Sequence, residues 1–196
     1  MQYFRNNTGG LKRPQTEELS QIAGLVKRAA DGDTESFGEI YSICLDRIYR
    51  YVIYQVRDKM AAEDITEETF FKAWKAIGSC KGKEHTFLPW LYRIAHNSAV
   101  DSLRSRNKQQ SIEREILTDF ADPALAVDPP QEKQEIMEVI SSLPQNQMQV
   151  ILLKFVDGLD YAEIGRIMSK SQGAVRVLQM RALASLRNIL AVSEKQ

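Results

Sequence analysis

The residues with most to offer chemically lie between Asp160 and Ile189, and their types fit recognition of a polyanion better than catalysis. From Ile164 through Ser193 there is no Asp or Glu, yet Arg166, Lys170, Arg176, Arg181 and Arg187 all fall there. The whole chain is neutral, with 26 basic and 26 acidic residues, so this stretch concentrates positive charge locally. Gln172, Arg176, Gln179 and Arg181, preceded by Lys170 and Ser171, are residue types that hydrogen-bond base edges and phosphates in the major groove, which makes DNA the natural ligand. A helical hairpin with a solvated basic face is the plainer alternative. Reaction chemistry has little to draw on. The histidines are His85 and His96, the cysteines Cys44 and Cys80, and no Ser-His-Asp, Cys-His or metal-spaced set appears. No glycine-rich phosphate loop follows a strand, so the expectation is a protein that is not an enzyme and holds no metal or cofactor.

The elements that must position the basic face are legible in the spacing. Asp160 is a good N-cap, and Glu163 three residues later closes a capping box. Ile164, Ile167 and Met168 give the following two turns an apolar edge, and small Gly165 lets helices approach closely. Ser169-Lys170-Ser171 reads as a short break in which Ser171 caps a longer helix. There Val175, Leu178, Ala182, Leu186 and Ile189 recur at three- and four-residue steps, leaving Gln172, Arg176, Gln179 and Arg181 facing outward. This is a helix-turn-helix pattern.

Upstream, 43% apolar residues in 196, few Gly and Pro, and no strand-like alternation point to packed helices. No apolar run approaches the roughly 20 residues that cross a bilayer, and Met1 to Pro14 lacks an apolar signal core, so a cytoplasmic protein without membrane insertion is expected. Residues 1 to 15 read as a loose tail, followed by a short helix marked by Leu19, Ile22 and Val26. Asp33 or Thr34 starts a long helix with Phe37, Ile40, Tyr41, Cys44, Ile48, Val52 and Val56 on one face; there Cys44 reads as a buried reduced thiol. A third helix, Ala61 to Ile77, buries Ile65, Phe70, Ala73 and Ile77. After a polar loop from Gly78 to His85, Thr86 is placed to cap a helix with Pro89 in its first turn, ending near Arg106. From Gln109 to Glu138 eight acids face two bases, and Asp122-Pro123 and Asp128-Pro129-Pro130 break any pattern. Residues 108 to 130 are therefore expected to link two all-helical domains, residues 20 to 107 and 131 to 196, the latter opening on a helix near Gln131. Leu143-Pro144 then precedes a helix marked by Met148, Ile151, Leu152 and Phe155, which Gly158 terminates.

Two further constellations stand out. On the helix after Thr86, Arg93, Asn97, Asp101 and Arg104 make a polar stripe beside Trp90 that can hold nucleic acid, with Phe87, Trp90 and Tyr92 available to stack an unpaired base. The alternative is that the stripe bonds to itself and the aromatics are core. On the third helix, Glu63, Asp64, Glu67 and Glu68 form two i,i+4 like-charge pairs. The helix macrodipole explains acids near an N-terminus in part; a basic protein partner would explain pairs that otherwise repel.

Together these elements resemble the bacterial RNA polymerase sigma factors of the extracytoplasmic-function class. Asp33, Phe37, Ile40-Tyr41, the run Ala62 to Phe70, Ala73-Trp74, Phe87, Trp90 to Ala95, Asn97, Asp101 and Arg104 look like sigma region two. Leu143-Pro144, Val150, Gly158-Leu159, Tyr161, Glu163-Ile164, Gly173, Val175-Arg176 and Arg181-Ala182 look like region four. The resemblance implies an all-α, two-domain initiation factor that binds core RNA polymerase and promoter DNA. Glu63, Asp64, Glu67, Glu68, Phe71 and Trp74 would dock on the polymerase clamp. Lys81, Lys83, Trp90, Arg93, Asn97, Asp101 and Arg104 would recognise and help open the minus-ten element. Lys170, Ser171, Gln172, Arg176, Gln179 and Arg181 would read the minus-thirty-five element. The acidic linker would thread channels otherwise holding RNA, and an anti-sigma factor is an expected partner.

The chain departs from the family pattern at Gln172, where proline is frequent, at Ser169 for a turn glycine, at Met148 for an arginine, and at Leu183 and Ala184 for an Arg-Glu pair. These bear on promoter sequence more than on fold. Val177 and Met180 fit either a thymine methyl contact or partial packing. The competing reading is a dimeric helix-turn-helix regulator with an N-terminal sensing domain, which would not need the acidic helix.

Overall fold

The computed structural model describes residues 16–110 and 139–193, which fall into two compact units. Every regular element among them is helical. The tail over residues 1 to 15, the acidic stretch over 111 to 138 and the helix expected near Gln131 lie outside the described residues.

The first unit holds α1 (Thr16–Ala30), α2 (Thr34–Val56), α3 (Lys59–Ala76) and α4 (Phe87–Gln110). Asp33 starts α2 as expected: in extended conformation, its carboxylate accepts from the Glu35 and Ser36 amides at 3.0 and 3.2 Å. Arg57, at φ 51°, ends that helix in the left-handed region and returns its amide to the Ile53 carbonyl. One residue on, Asp58 caps α3 through the Ala61 amide at 2.9 Å and binds Arg106 of α4 at 2.6 Å. Asp58 therefore fixes a helix start and ties it to the helix packed beside it. Asp33 and Asp58 both have their carboxyls held below the usual range, chiefly by hydrogen bonds from Ser36 and from the Ala61 amide respectively.

The core of this unit is built from Ile40, Cys44, Ile48 and Val52 of α2, Ala62 and Phe70 of α3, Leu91, Tyr92 and Ala95 of α4, and Val26 of α1. Tyr51 and Tyr92 meet edge to face, 5.2 Å between centroids, where α2 crosses α4. The C-terminal turns of α2 are buried all round, from Tyr51 to Val56, because α1, α3 and α4 each pack on that helix. Burial pushes the Tyr54 hydroxyl up to about 12. Cys44 and Cys80 are buried thiols outside any disulfide.

Two expectations need correction. The loop between α3 and α4 contains two short 3-10 turns, Ile77–Cys80 and Glu84–Thr86, and Thr86 does not cap α4: its hydroxyl donates back to the Lys83 carbonyl at 2.8 Å. The preceding 3-10 turn already leads the chain into the helix, and it leaves no free N-cap position for a side chain to fill. Helix α4 also continues past Arg106 to Gln110.

The second unit holds α5 (Gln145–Ile151), a π-helical continuation Leu152–Val156, α6 (Tyr161–Met168) and α7 (Gln172–Ser193). The extra residue in the π turn lets the Asp157 amide reach the Leu152 carbonyl, and Gly158, at φ +73°, then reverses the chain toward α6. Leu143, Met148, Val150, Leu153, Ile164, Ile167, Val175, Ala182 and Leu186 close the core.

Candidate nucleic-acid interface

Helix α6 is fixed at both ends. Asp160 accepts from the Glu163 amide at 2.8 Å while Glu163 accepts from the Asp160 amide at 2.7 Å, which is the expected capping box. At the far end Ser169 takes the left-handed conformation at φ 54°, and the Lys170 amide donates to the Gly165 carbonyl at 2.9 Å. Gly165 is required there: a Cβ would stand 2.6 Å from the Lys170 carbonyl oxygen. Ser171 then caps α7 through the Ala174 amide at 3.2 Å. Ala162, Gly165, Arg166, Lys170 and Gln172 line a shallow hollow at the junction. An anion placed there would meet the exposed arginine and the start of a long helix.

On α7, Gln172, Arg176 and Arg181 are exposed, as expected. Gln179 is not. It is half-buried because Tyr161 of α6 donates its hydroxyl to the Gln179 side-chain oxygen at 2.7 Å. The Tyr161 ring also carries the Arg176 guanidinium 5.0 Å from its centroid and the Lys154 ammonium at 4.7 Å. Lys154 is itself fixed to the Leu159 carbonyl at 2.9 Å. Tyr161 thus orients two residues of the helix behind it. The sequence reading gave this tyrosine no role, since contacts across a helix pair leave no periodic signal.

In the first unit, Lys81, Lys83, Arg93, Asn97, Asp101 and Arg104 are exposed and Trp90 is half-buried, its ring 5.7 Å from Phe87. Among the described residues no hydrogen bond or ion pair joins Arg93, Asn97, Asp101 and Arg104 to one another, so the stripe does not bond to itself. The stacking expectation is narrower than the sequence allowed. Phe87 and Tyr92 are fully buried core residues, and Trp90 alone of the three keeps ring surface in reach of a base. Lys81 is paired with Asp31 at 2.6 Å; that hydrogen bond lowers the Asp31 carboxyl and raises the Lys81 ammonium from their usual values. Through it the end of α1 steadies the loop.

The acidic helix carries an exposed aromatic edge that periodicity did not show. Helix α3 begins at Lys59, so Glu63, Asp64, Glu67 and Glu68 sit in its second and third turns, beyond most of the macrodipole's reach. At 3.6 residues per turn they share one face with Met60, Phe71 and Trp74, the last two 57% and 36% exposed. Glu68 pairs with Lys72 at 2.9 Å; among the described residues Glu63, Asp64 and Glu67 have no ion pair. Phe37 stands 4.9 Å from Trp74, and exposed Tyr41 meets Phe70 at 4.7 Å. Phe37 and Tyr41, expected on the apolar face of α2, extend an aromatic rim beside the acids.

The comparisons with known proteins agree in both units. A model of Sigma-70 region 2 matches residues 40–109, and one of Sigma-70 region 4 matches residues 133–186. The chain is 31% identical over 184 residues to the ECF RNA polymerase sigma factor SigK of Mycobacterium tuberculosis, covering 89% of this chain and 96% of that protein. It belongs to the extracytoplasmic-function sigma factors. ECF sigma factor BldN of Streptomyces coelicolor is also 31% identical over 184 residues, with 91% of this chain and 70% of that protein covered. Among solved structures, CnrH in complex with the cytosolic domain of CnrY matches with TM-score 0.63 at 21% identity over 88% of this chain and 98% of that one. RpoE of Bartonella quintana, in complex with the anti-sigma factor NepR, matches with TM-score 0.65 at 22% identity over 81% and 99%. These two show the shared fold. As a sigma factor, the protein is an initiation factor that binds core RNA polymerase and directs it to promoters. No described helix is long and apolar enough to cross a membrane.

Proposed function

We propose that the two units divide promoter recognition, with no chemical step of their own. The observation that carries this is a segregation of charge. An acidic face edged by exposed aromatics lies on α3 of one unit, while α7 of the other is free of acids and presents Arg176 and Arg181 to solvent. An acidic face repels DNA and suits a basic protein surface; an arginine face suits phosphates and guanine edges. In this reading residues 20 to 107 dock on core polymerase through Glu63, Asp64, Glu67, Glu68, Phe71 and Trp74. Lys83, Trp90, Arg93, Asn97 and Arg104 of the same domain capture and help open the minus-ten element. A flipped base would stack on Trp90, because unstacking needs an aromatic platform to offset it. Residues 131 to 196 read the minus-thirty-five element through Lys170, Ser171, Gln172, Arg176 and Arg181, with Gln179 serving as a brace. Residues 108 to 130 connect the two. An anti-sigma factor that covers these surfaces is part of the proposal, as RpoE of Bartonella quintana is described bound to NepR.

Run-off transcription with core polymerase on genomic fragments tests the reading. Wild-type protein yields discrete starts, and Arg176→Ala and Arg181→Ala weaken them, each lost base contact costing about 1–3 kcal/mol. Tight binding to duplex DNA without polymerase, with no association to core enzyme, would favour an operator-binding regulator instead.

A further inference from the structure

Helix α7 carries an exposed apolar strip between its outward-facing polar residues. Val175, Ala182 and Leu186 are buried on one side of α7. At 3.6 residues per turn the opposite side is centred on Gly173, Val177, Met180 and Ala184, all exposed. Val177 and Met180 are 42% and 64% exposed, large apolar side chains left in water at the centre of the face. Arg176 and Arg187 flank the strip on one edge and Arg181 and Asn188 on the other, all exposed. There is no acid from Ile164 to Ser193.

An apolar strip between arginine rims needs an occupant that is anionic at both edges and apolar between them. The major groove is such a surface: phosphate backbones border it, and the one apolar group on its floor is the C5-methyl of thymine. Two residues three apart on a helix are separated by about 4.5 Å along its axis, close to the spacing of about 3.4 Å between adjacent base pairs. We infer that Val177 and Met180 read thymine methyl groups on adjacent base pairs of the minus-thirty-five element. The inference rests on the sigma reading of this domain. It makes the two residues specificity determinants, while the arginines supply position and hydrogen bonds.

The test uses the full chain with core polymerase and a promoter recovered by run-off transcription, synthesised with deoxyuridine in place of thymidine in the minus-thirty-five element only. This removes the methyl groups and leaves every hydrogen-bonding edge intact. Initiation by the wild-type protein is expected to fall about four-fold per methyl contact, roughly fifteen-fold for two. The Val177→Ala/Met180→Ala protein should initiate weakly from both templates and no longer distinguish them. Three results overturn the inference alone: a minus-thirty-five element without thymine, initiation that depends on that element but ignores the methyl groups, or a double variant as sensitive to deoxyuridine as the wild type. Absence of initiation on any fragment overturns the sigma reading and the inference with it.

Discussion

Replacing Gly165 by alanine has an outcome whose sign the tertiary structure reverses. Inside a free-standing helix the change stabilises by about 0.8–1.0 kcal/mol, because alanine loses less backbone freedom. In α6 the new methyl group would stand 2.6 Å from the Lys170 carbonyl oxygen, a backbone atom. That carbonyl cannot easily withdraw. Its residue's amide is bonded to the Gly165 carbonyl at 2.9 Å, and Ser169 between them is already left-handed at φ 54°. Overpacking of this kind costs about 1–3 kcal/mol, so a net destabilisation of about 1 kcal/mol is expected. Gly24 is the matched control: it lies exposed within α1, a Cβ there meets nothing within 4 Å, and Gly24→Ala should stabilise by up to about 1 kcal/mol. Urea unfolding with two probes separates the cases, because both tryptophans, Trp74 and Trp90, belong to the first unit. Gly24→Ala should raise the fluorescence midpoint. Gly165→Ala should leave it in place, lower the remaining helical transition seen by circular dichroism, and weaken run-off from a promoter that needs its minus-thirty-five element. A Gly165→Ala protein as stable as the wild type would refute the close approach of Lys170.

Reversing Glu67 and Glu68 to lysine should sharply reduce co-purification with core polymerase while leaving the unfolding midpoint within about 0.5 kcal/mol of wild type, since both side chains are exposed. Tyr161→Phe should cost about 1 kcal/mol for the hydrogen bond to Gln179 yet keep the ring under Arg176; Tyr161→Leu removes both contacts and should depress run-off further, so equal behaviour of the two would dismiss the bracing role. Asp58 has a lowered folded-state pKa, so its contribution is complete above the ordinary carboxylate pKa and disappears as pH falls through the depressed value. Asn can still cap α3 but cannot pair with Arg106, so Asp58→Asn should flatten the acid limb of the stability profile measured by tryptophan fluorescence; an unchanged slope would contradict the assignment.

The helix-turn-helix was readable because its signals are local. A capping box spans three residues, and the apolar repeat of Val175, Ala182 and Leu186 is fixed by the helix period alone. Cys44 was readable as a buried thiol for the same reason, as was the Asp33 cap. The same periodicity put Phe37 and Tyr41 on the apolar face of α2, yet neither is buried, and they stand beside Trp74 and Phe70 of α3. A repeat gives the direction of a face but not how far its partner helix covers it. Phe87 and Tyr92 show the converse: their position at a helix start offered them to a base, yet both are buried, Tyr92 against Tyr51 of α2.

Amino-acid order by itself determined which of the described segments are helical, where α2, α6 and α7 start, and on which helix each sign of charge collects, because caps, period and charge act over a few residues. Tertiary structure alone decided that Gln179 turns inward to Tyr161, that Lys81 is shared with Asp31, and that Val177 and Met180 stay in water. Those outcomes depend on which residues distant in sequence arrive within about 3–5 Å of one another, the range over which hydrogen bonds and ring contacts act.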